Sequence, residues 1–310
     1  MKSILAVILF LGAAVLFVAC NGGTMKKTKG GMPYKIFSGN GTVKTTDGSY
    51  LKINFTQSIK ASGKDSVYFT SRGKLPVYFP VTSGNPATYE ITELWMGLRK
   101  GDSIIATQLM DTFIKRNPAS VPPHFRNGDV ITTVVHVLDV FKNDSLARAD
   151  EQKERDKFLE GELSFMAKYL GNKKIQSVKT PSGAFVEIIN PGQGNLIDSG
   201  KLVSVNYTGT SFSGVVFDSN TDTAFHHVEP MTFAVSTGQM IKGFDEAMRF
   251  LRPGAVAKVY IPSMLAYGPS PQSPNIKPFE HLVFDIKVVD VKDNVQQPQG
   301  PVKVDVPQRK

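Results

Sequence analysis

A single cysteine, Cys20, stands in the whole sequence. A fold secured by disulfides needs cysteine pairs, so that source of stability is excluded. The signatures of common catalysts are missing too: there is no Gly-x-Ser-x-Gly, no P-loop and no His-Glu-x-x-His. Each of those motifs places a nucleophile, a phosphate cradle or a zinc ion, and their absence sets those chemistries aside. Gly192-Gln193-Gly194 lacks the third glycine of a dinucleotide-binding turn and reads as an ordinary turn. The net charge of +9 comes from lysines spread along the chain, with small clusters at Lys26-Lys27 and Lys173-Lys174. No basic stripe interleaves with aromatics, so a solvated surface accounts for the charge better than nucleic-acid binding does. His226-His227-Val228-Glu229 has the composition of a metal site, but adjacent histidines on a loop read as solvated, and neither metal nor cofactor is expected.

The first twenty residues do not read as part of a fold. Lys2 precedes an apolar run from Ile4 to Val18, and Ala19 and Cys20 follow. A charged start, an apolar core and a small residue at the cut make a secretory signal over residues 1–20. On length alone a transmembrane anchor stays open. Cys20 behind Val18-Ala19 resembles the lipobox of bacterial lipoproteins, although Phe17 stands where that motif prefers Leu. The resemblance implies that Cys20 is lipidated and becomes the new N-terminus, with more than one acyl chain for stable anchoring. The expected location is extracytoplasmic, lipid-anchored to a bacterial membrane, on the periplasmic side of the outer membrane.

At about 100–200 residues per domain, the 310 residues suggest two domains. Residues 21–40, rich in Gly, Lys and Thr, read as a flexible tether. From 41 to 142 short apolar runs are broken by Gly, Pro, Asn and Asp, with Leu51 to Phe55 and Val130 to Val140 the clearest strands. Residues 143–179 change character and read as a helical linker. Asp144 to Leu170 is charged and free of proline, and Leu159, Leu163, Met166 and Leu170 recur at helical spacing, with Gly171 as the stop. Its first half, Ala149 to Lys157, is almost wholly polar and reads as solvated. Two roles are open for this helix: a dimerisation or spacer helix, giving a homodimer through residues 144–170, or a linker lying on its own domain. A second β-rich segment covers 180–292, and residues 293–310, rich in Gln, Pro and Lys, are expected to be disordered.

The two β-rich segments read as copies. Val67-Tyr68-Phe69-Thr70-Ser71 parallels Val215-Val216-Phe217-Asp218-Ser219, Glu93 to Gly101 parallels Glu246 to Gly254, and Val137 to Val140 parallels Val288 to Val291. In the second copy the aromatics come in a particular order. Val205-Asn206-Tyr207-Thr208-Gly209 reads as a strand ending at a turn, and Phe217-Asp218-Ser219 follows. Gly238 to Met248 reads as a turn into a short helix, and then come Leu265-Ala266-Tyr267-Gly268 and Leu282-Val283-Phe284-Asp285.

This series resembles the FKBP-type peptidyl-prolyl isomerases over essentially the whole of 180–292, and Thr180-Pro181-Ser182-Gly183 resembles the lead-in of bacterial members. The resemblance implies an α+β fold of two FKBP-like domains, each a bent antiparallel sheet around a short helix, joined by the long charged helix. It implies that Tyr207, Phe217, Phe244 and Phe284 form the walls and floor of a proline pocket. Met240 and Ile241 would line it, Ile276 would close the far side, Asp218 would set a carboxylate at the rim, and Tyr267 would offer its hydroxyl to a substrate carbonyl. The Ile241 N–H would face a second carbonyl.

There are departures from the family pattern. Phe244 stands where many members have Trp, and Gln239 and Gln272 replace a common Glu and His. The loop from Thr221 to Pro230 is long and offers no Arg to pair with Asp218. In the first copy Phe55 falls near the Tyr207 position, Phe69 near Phe217, Thr70 at Asp218, Ile91 near Phe244, Ile114 near Tyr267 and Thr133 near Phe284. That copy is expected to fold without catalysing. The implied activity is X-Pro isomerisation on unfolded or exported proteins. The rival reading is a non-enzymatic chaperone or assembly module on the same fold.

Overall fold

The computed structural model describes residues 24–61, 63–84, 87–116, 118–121 and 125–294. The expected signal segment with Cys20, and the expected tail from residue 295 on, lie outside them. Asp293, at the start of that tail, is paired with Lys201. The chain divides into two compact units, Met1–Gln152 and Lys153–Lys310.

The first unit comprises β1 (Lys26–Lys27), β2 (Pro33–Phe37), β3 (Tyr50–Ala61), β4 (Lys64–Thr70), β5 (Val77–Pro80), β6 (Ser103–Leu109), α1 (Met110–Arg116) and β7 (Val130–Phe141). The helix α2 (Asp144–Asn172) follows, crossing from one unit's residues into the other's. The second unit continues with β8 (Val178–Lys179), β9 (Phe185–Asn190), β10 (Leu202–Ser211), β11 (Val216–Ser219), β12 (Met231–Ala234), α3 (Lys242–Met248), β13 (Val256–Ile261) and β14 (Leu282–Lys292). Each unit is an antiparallel sheet with the same strand order, β1-β2-β6-β7-β3-β4 and β8-β9-β13-β14-β10-β11, with β5 on β3 and β12 on β10. Even the irregularities recur: a bulge between Lys52 and Ile53 in β3 answers one between Ser204 and Val205 in β10. The duplication read from sequence is therefore a duplication of topology.

Residues alternate in burial along β10, so Val203, Val205, Tyr207 and Gly209 face inward. One face of the sheet is thereby committed to the core. α3 lies against that face and buries Phe244, Ala247 and Met248 completely. In the first unit the same place is taken by a 3-10 turn at Ile91–Leu94 followed by buried Trp95 and Leu98.

Two expectations are corrected here. The tether expected over 21–40 is already structured: Lys26–Lys27 and Pro33–Phe37 are strands, the latter paired with β6, and Met32 is fully buried. The first half of α2 is only partly solvated: Ala149, Gln152, Lys153, Asp156 and Lys157 are exposed, but others on this half meet the first unit's sheet. Ala147 is buried, and Asp150 accepts from Lys52 Nζ at 2.7 Å and from Tyr78 Oη at 2.6 Å. A polar sequence was read as water-facing, but its partners are the buried amine and phenol of a neighbouring sheet. Within the second unit, Met166 and Leu170 pack with Phe185 and Tyr260, and Leu159 packs on the main core, as a helix lying on its own domain would. The helix runs past Gly171. Lys174 takes the left-handed turn (φ 56°), and Ile175 N–H bonds back to the Leu170 carbonyl in a Schellman cap.

Candidate active site

The second unit gathers the aromatics named above into one cluster. Phe244 sits at its base, with the Phe284 ring 5.0 Å away and the Tyr207 ring 6.3 Å away, both edge-on. Phe217 meets Phe284 edge-on at 5.6 Å, and Tyr207 lies 6.1 Å from Phe284. β10, β11, β14 and α3 each supply one ring. Phe233, from β12, adds a fifth at 5.8 Å from Phe244. Ile276 is buried in the same cluster, and Met240, Ile241 and Tyr267 are half-buried at its margin.

The polar groups meet at one side. Tyr207 Oη donates to Asp218 Oδ2 at 2.5 Å, and His227 Nε2 lies 2.8 Å from Asp218 Oδ1. His227 is exposed, as expected of a loop histidine, and the loop, which offers no Arg to pair with Asp218, brings its imidazole to that carboxylate. What places it is Asn220, which is buried. The Asn220 side-chain oxygen accepts from Tyr207 N–H at 2.7 Å, while its amide donates to the carbonyls of Val205 and Glu229. Burial, then the bond to Asp218, raises the Tyr207 pKa above the ordinary tyrosine value. Burial and the Asp218 charge raise that of Tyr267. Both phenols are thus held as donors. Among the described residues no group of three His, Cys, Asp or Glu side chains is placed to hold a metal ion.

α3 is fixed at both sides by carboxylates. Asp245 accepts from Ser236 N–H at 2.8 Å, closing the turn that leads to Met240 and Ile241. Glu246 accepts from Ser182 N–H at 3.0 Å and from its hydroxyl at 2.5 Å. Burial pushes Glu246 up, but the Ser182 bonds outweigh it and hold the carboxyl below its usual range. Ile241 caps the helix, its carbonyl accepting from Phe244 and Asp245 N–H. As a capping residue its own N–H stands outside the helix ladder.

Gly209 does not end a strand at a turn, as its sequence suggested; β10 continues through it to Ser211. Its role is space. A Cβ there would lie 2.6 Å from Phe217 Cζ and 3.0 Å from Phe284 Cε1.

The first unit keeps the frame and changes what stands at its centre. Thr28, Gly30 and Glu93 repeat the bonding of Thr180, Ser182 and Glu246, with Gly30 N–H donating to Glu93 at 2.7 Å. Strand pairing sets the correspondence: Gln57 pairs with Thr133 and Phe69, as Gly209 pairs with Phe284 and Asp218. This corrects the alignment in β4 by one residue. Phe69 stands at the Asp218 position, Thr70 at Ser219 and Tyr68 at Phe217. Where Tyr207 bonds to Asp218, Phe55 therefore stacks on Phe69 at 4.7 Å, and where Gly209 leaves room a glutamine side chain stands.

Residues 194–289 match the family model of the FKBP-type peptidyl-prolyl cis-trans isomerases. The outer membrane protein MIP of Legionella longbeachae is 35% identical over 165 residues, covering 50% of this chain and 64% of the relative. The peptidyl-prolyl cis-trans isomerase Mip of Coxiella burnetii is 35% identical over 122 residues, 39% of this chain and 50% of the relative. The FK506-binding protein of Neisseria meningitidis is 33% identical over 109 residues, 35% of this chain and 96% of the relative. The chain thus spans between half and two-thirds of the two Mip proteins and nearly all of the neisserial one.

Proposed function

Because this chain belongs to the FKBP-type peptidyl-prolyl cis-trans isomerase family, we propose that its second unit speeds rotation about X-Pro bonds in exported proteins. The observation that carries the reading is the cluster itself: Tyr207, Phe217, Phe244 and Phe284 packed together, with the Tyr207–Asp218 pair and Tyr267 at their margin. Resonance makes the peptide C–N bond resist twisting by about 18–20 kcal/mol, and unaided X-Pro isomerisation takes tens to hundreds of seconds. The twisted amide has lost its charge separation, so a dry apolar wall favours it over the planar form. No proton has to move. Tyr267 donates to the carbonyl beside the rotating bond, the Ile241 N–H meets a second carbonyl, Met240 and Ile276 hold the ring, and Asp218 with His227 orients Tyr207. A barrier lower by roughly 5–8 kcal/mol corresponds to about 10⁴–10⁶ in rate.

A protease-coupled assay on a peptide containing Ala-Leu-Pro-Phe tests this. The purified chain should speed isomerisation, and Tyr267→Phe combined with Asp218→Val should abolish most of the effect. If the pair changes nothing, the chemistry lies elsewhere and the chaperone reading stands. That second reading has support of its own in the first unit, where Phe55 stacks on Phe69 in place of the Tyr207–Asp218 bond, which suits a scaffold or client-holding role rather than catalysis. FK506, which the neisserial relative's name gives as its ligand, should compete for the same cluster.

The proposal extends to location. The lipobox-like Cys20 supports a lipid anchor and an extracytoplasmic site; no helix among the described residues is long and apolar enough to cross a membrane. Labelled palmitate should enter the protein in cells and fail to enter a Cys20→Ala variant. Sizing the chain with and without residues 144–170 tests whether α2 also pairs two copies.

A further inference from the structure

We propose that Glu162, on α2, is a positioning residue that latches the segment carrying Tyr267; the inference rests on the isomerase reading of the pocket. Glu162 is 7% exposed although it belongs to a charged helix. A carboxylate buried to that degree is costly unless donors surround it. It has two, both from the 3-10 turn at Ser263–Leu265. The Ser263 hydroxyl donates to Oε1, and Met264 N–H donates to Oε2 at 3.0 Å. His281 stands beside them: its Nδ1 accepts from Ser263 N–H at 3.1 Å and lies 3.8 Å from Glu162 Oε1.

The far side of that turn frames the pocket. Gly268 N–H donates to the Ser263 carbonyl at 2.9 Å, and Phe279 N–H donates to the Gly268 carbonyl at 2.8 Å. Tyr267 is therefore held between the latched Ser263 and Gly268. Two neighbours of Glu162 on the same helix face complete the clamp, since Phe158 packs on Phe279 at 5.1 Å and Phe165 stacks on His281 at 5.3 Å. Positions 158, 162 and 165 share one stripe of the helix. The neighbouring stripe, with Met166 and Leu170, packs on Phe185 and Tyr260 instead of the Ser263 turn's hydrogen-bond network. Apolar contacts alone would dock the helix. A carboxylate taking two donors from one turn also fixes that turn's orientation, because charge-assisted hydrogen bonds are directional. The sequence marked this helix as a linker; the contacts make it part of the isomerase machinery.

The test uses the full chain, with Glu162→Gln and Ser263→Ala as latch variants and Met166→Ala as a packing control on the same helix. Glu162→Gln should lower kcat/KM by about tenfold, mostly through kcat, because small misplacements of a catalytic group are costly. Ser263→Ala should do the same, and the double variant should lose little more, since both remove one interaction. Met166→Ala should lower Tm at least as far and leave kcat/KM unchanged at a temperature where all variants are folded. Amide hydrogen exchange at Gly268 should quicken in the latch variants and not in the control. Wild-type kcat/KM with wild-type Gly268 exchange in Glu162→Gln overturns the proposal, as does an equal activity loss in Met166→Ala. If the wild-type chain has no isomerase activity, the pocket reading fails, and Gly268 exchange still decides whether the latch exists.

Discussion

Gly209→Ala is the smallest change that tests whether an open hollow matters. The added Cβ would stand 2.6 and 2.8 Å from two carbons of the Phe217 ring and 3.0 Å from Phe284, where ordinary contact begins at 3.4 Å. Phe217 must therefore retreat by about 0.8 Å, and it is itself held edge-on against Phe284. Overpacking of this kind costs roughly 1–3 kcal/mol of stability. The strain is purely steric, because Gly209 is not among the residues with positive φ. A wall displaced by nearly an ångström should cost about 10- to 100-fold in kcat/KM toward an X-Pro peptide. Thermal melting measures the first quantity and the coupled assay the second. The decisive arm is a cycle with Phe217→Ala, in which only the 3.0 Å contact with Phe284 remains and the same substitution should cost much less. Wild-type activity in Gly209→Ala, or full additivity in the cycle, would refute the reasoning.

Other outcomes follow from the same contacts. Glu246 is held below the ordinary Glu value of 4.5, so its contribution to stability is complete above that pH and fades as pH falls through the folded value. The gap in urea midpoint between wild type and Glu246→Gln should be full above pH 4.5 and shrink as pH falls below it. Trp95 is 3% exposed and its Nε1 is a buried donor without a partner among the described residues. Trp95→Phe should therefore cost much less than the roughly 3–5 kcal/mol of a large-to-small core change, as differential scanning calorimetry would register. Removing the Lys52 amine with Lys52→Met leaves Asp150 with Tyr78, and chemical denaturation should show a loss of about 1–3 kcal/mol in the first unit.

Residue identities revealed much of the aromatic cluster, and what they concealed has a common cause. Tyr207, Phe244 and Phe284 were legible because apolar rings in strand and helix runs are driven inward wherever the sheet closes. His227 was not: its meeting with Asp218 depends on how a loop of polar residues folds back, and that is settled by buried Asn220. The one-residue slip in β4 has a similar origin. The bulge between Gln57 and Ser58 shifts the pairing by one residue, and nothing in local composition marks it. Pro33–Phe37 looked like tether because it is short and flanked by Gly and Lys, and only its pairing with β6 makes it a strand. Propensity speaks for segments, whereas these features belong to pairs of segments.

The stack of Phe55 on Phe69, set in the same frame as the Tyr207–Asp218 bond, has a consequence for how such proteins can age. One chain holds two versions of a single architecture, one with stacked rings and one with a phenol–carboxylate bond at the same place. A polar pair set among rings is a compromise kept only while it has work to do, because most routes to greater stability favour better apolar packing. The first unit shows where that route leads. Its Glu93 anchor and strand order survive, while the polar pair is replaced by rings. Heat should therefore act on the two units unequally, and the second, which keeps the polar pair, should be the first to melt.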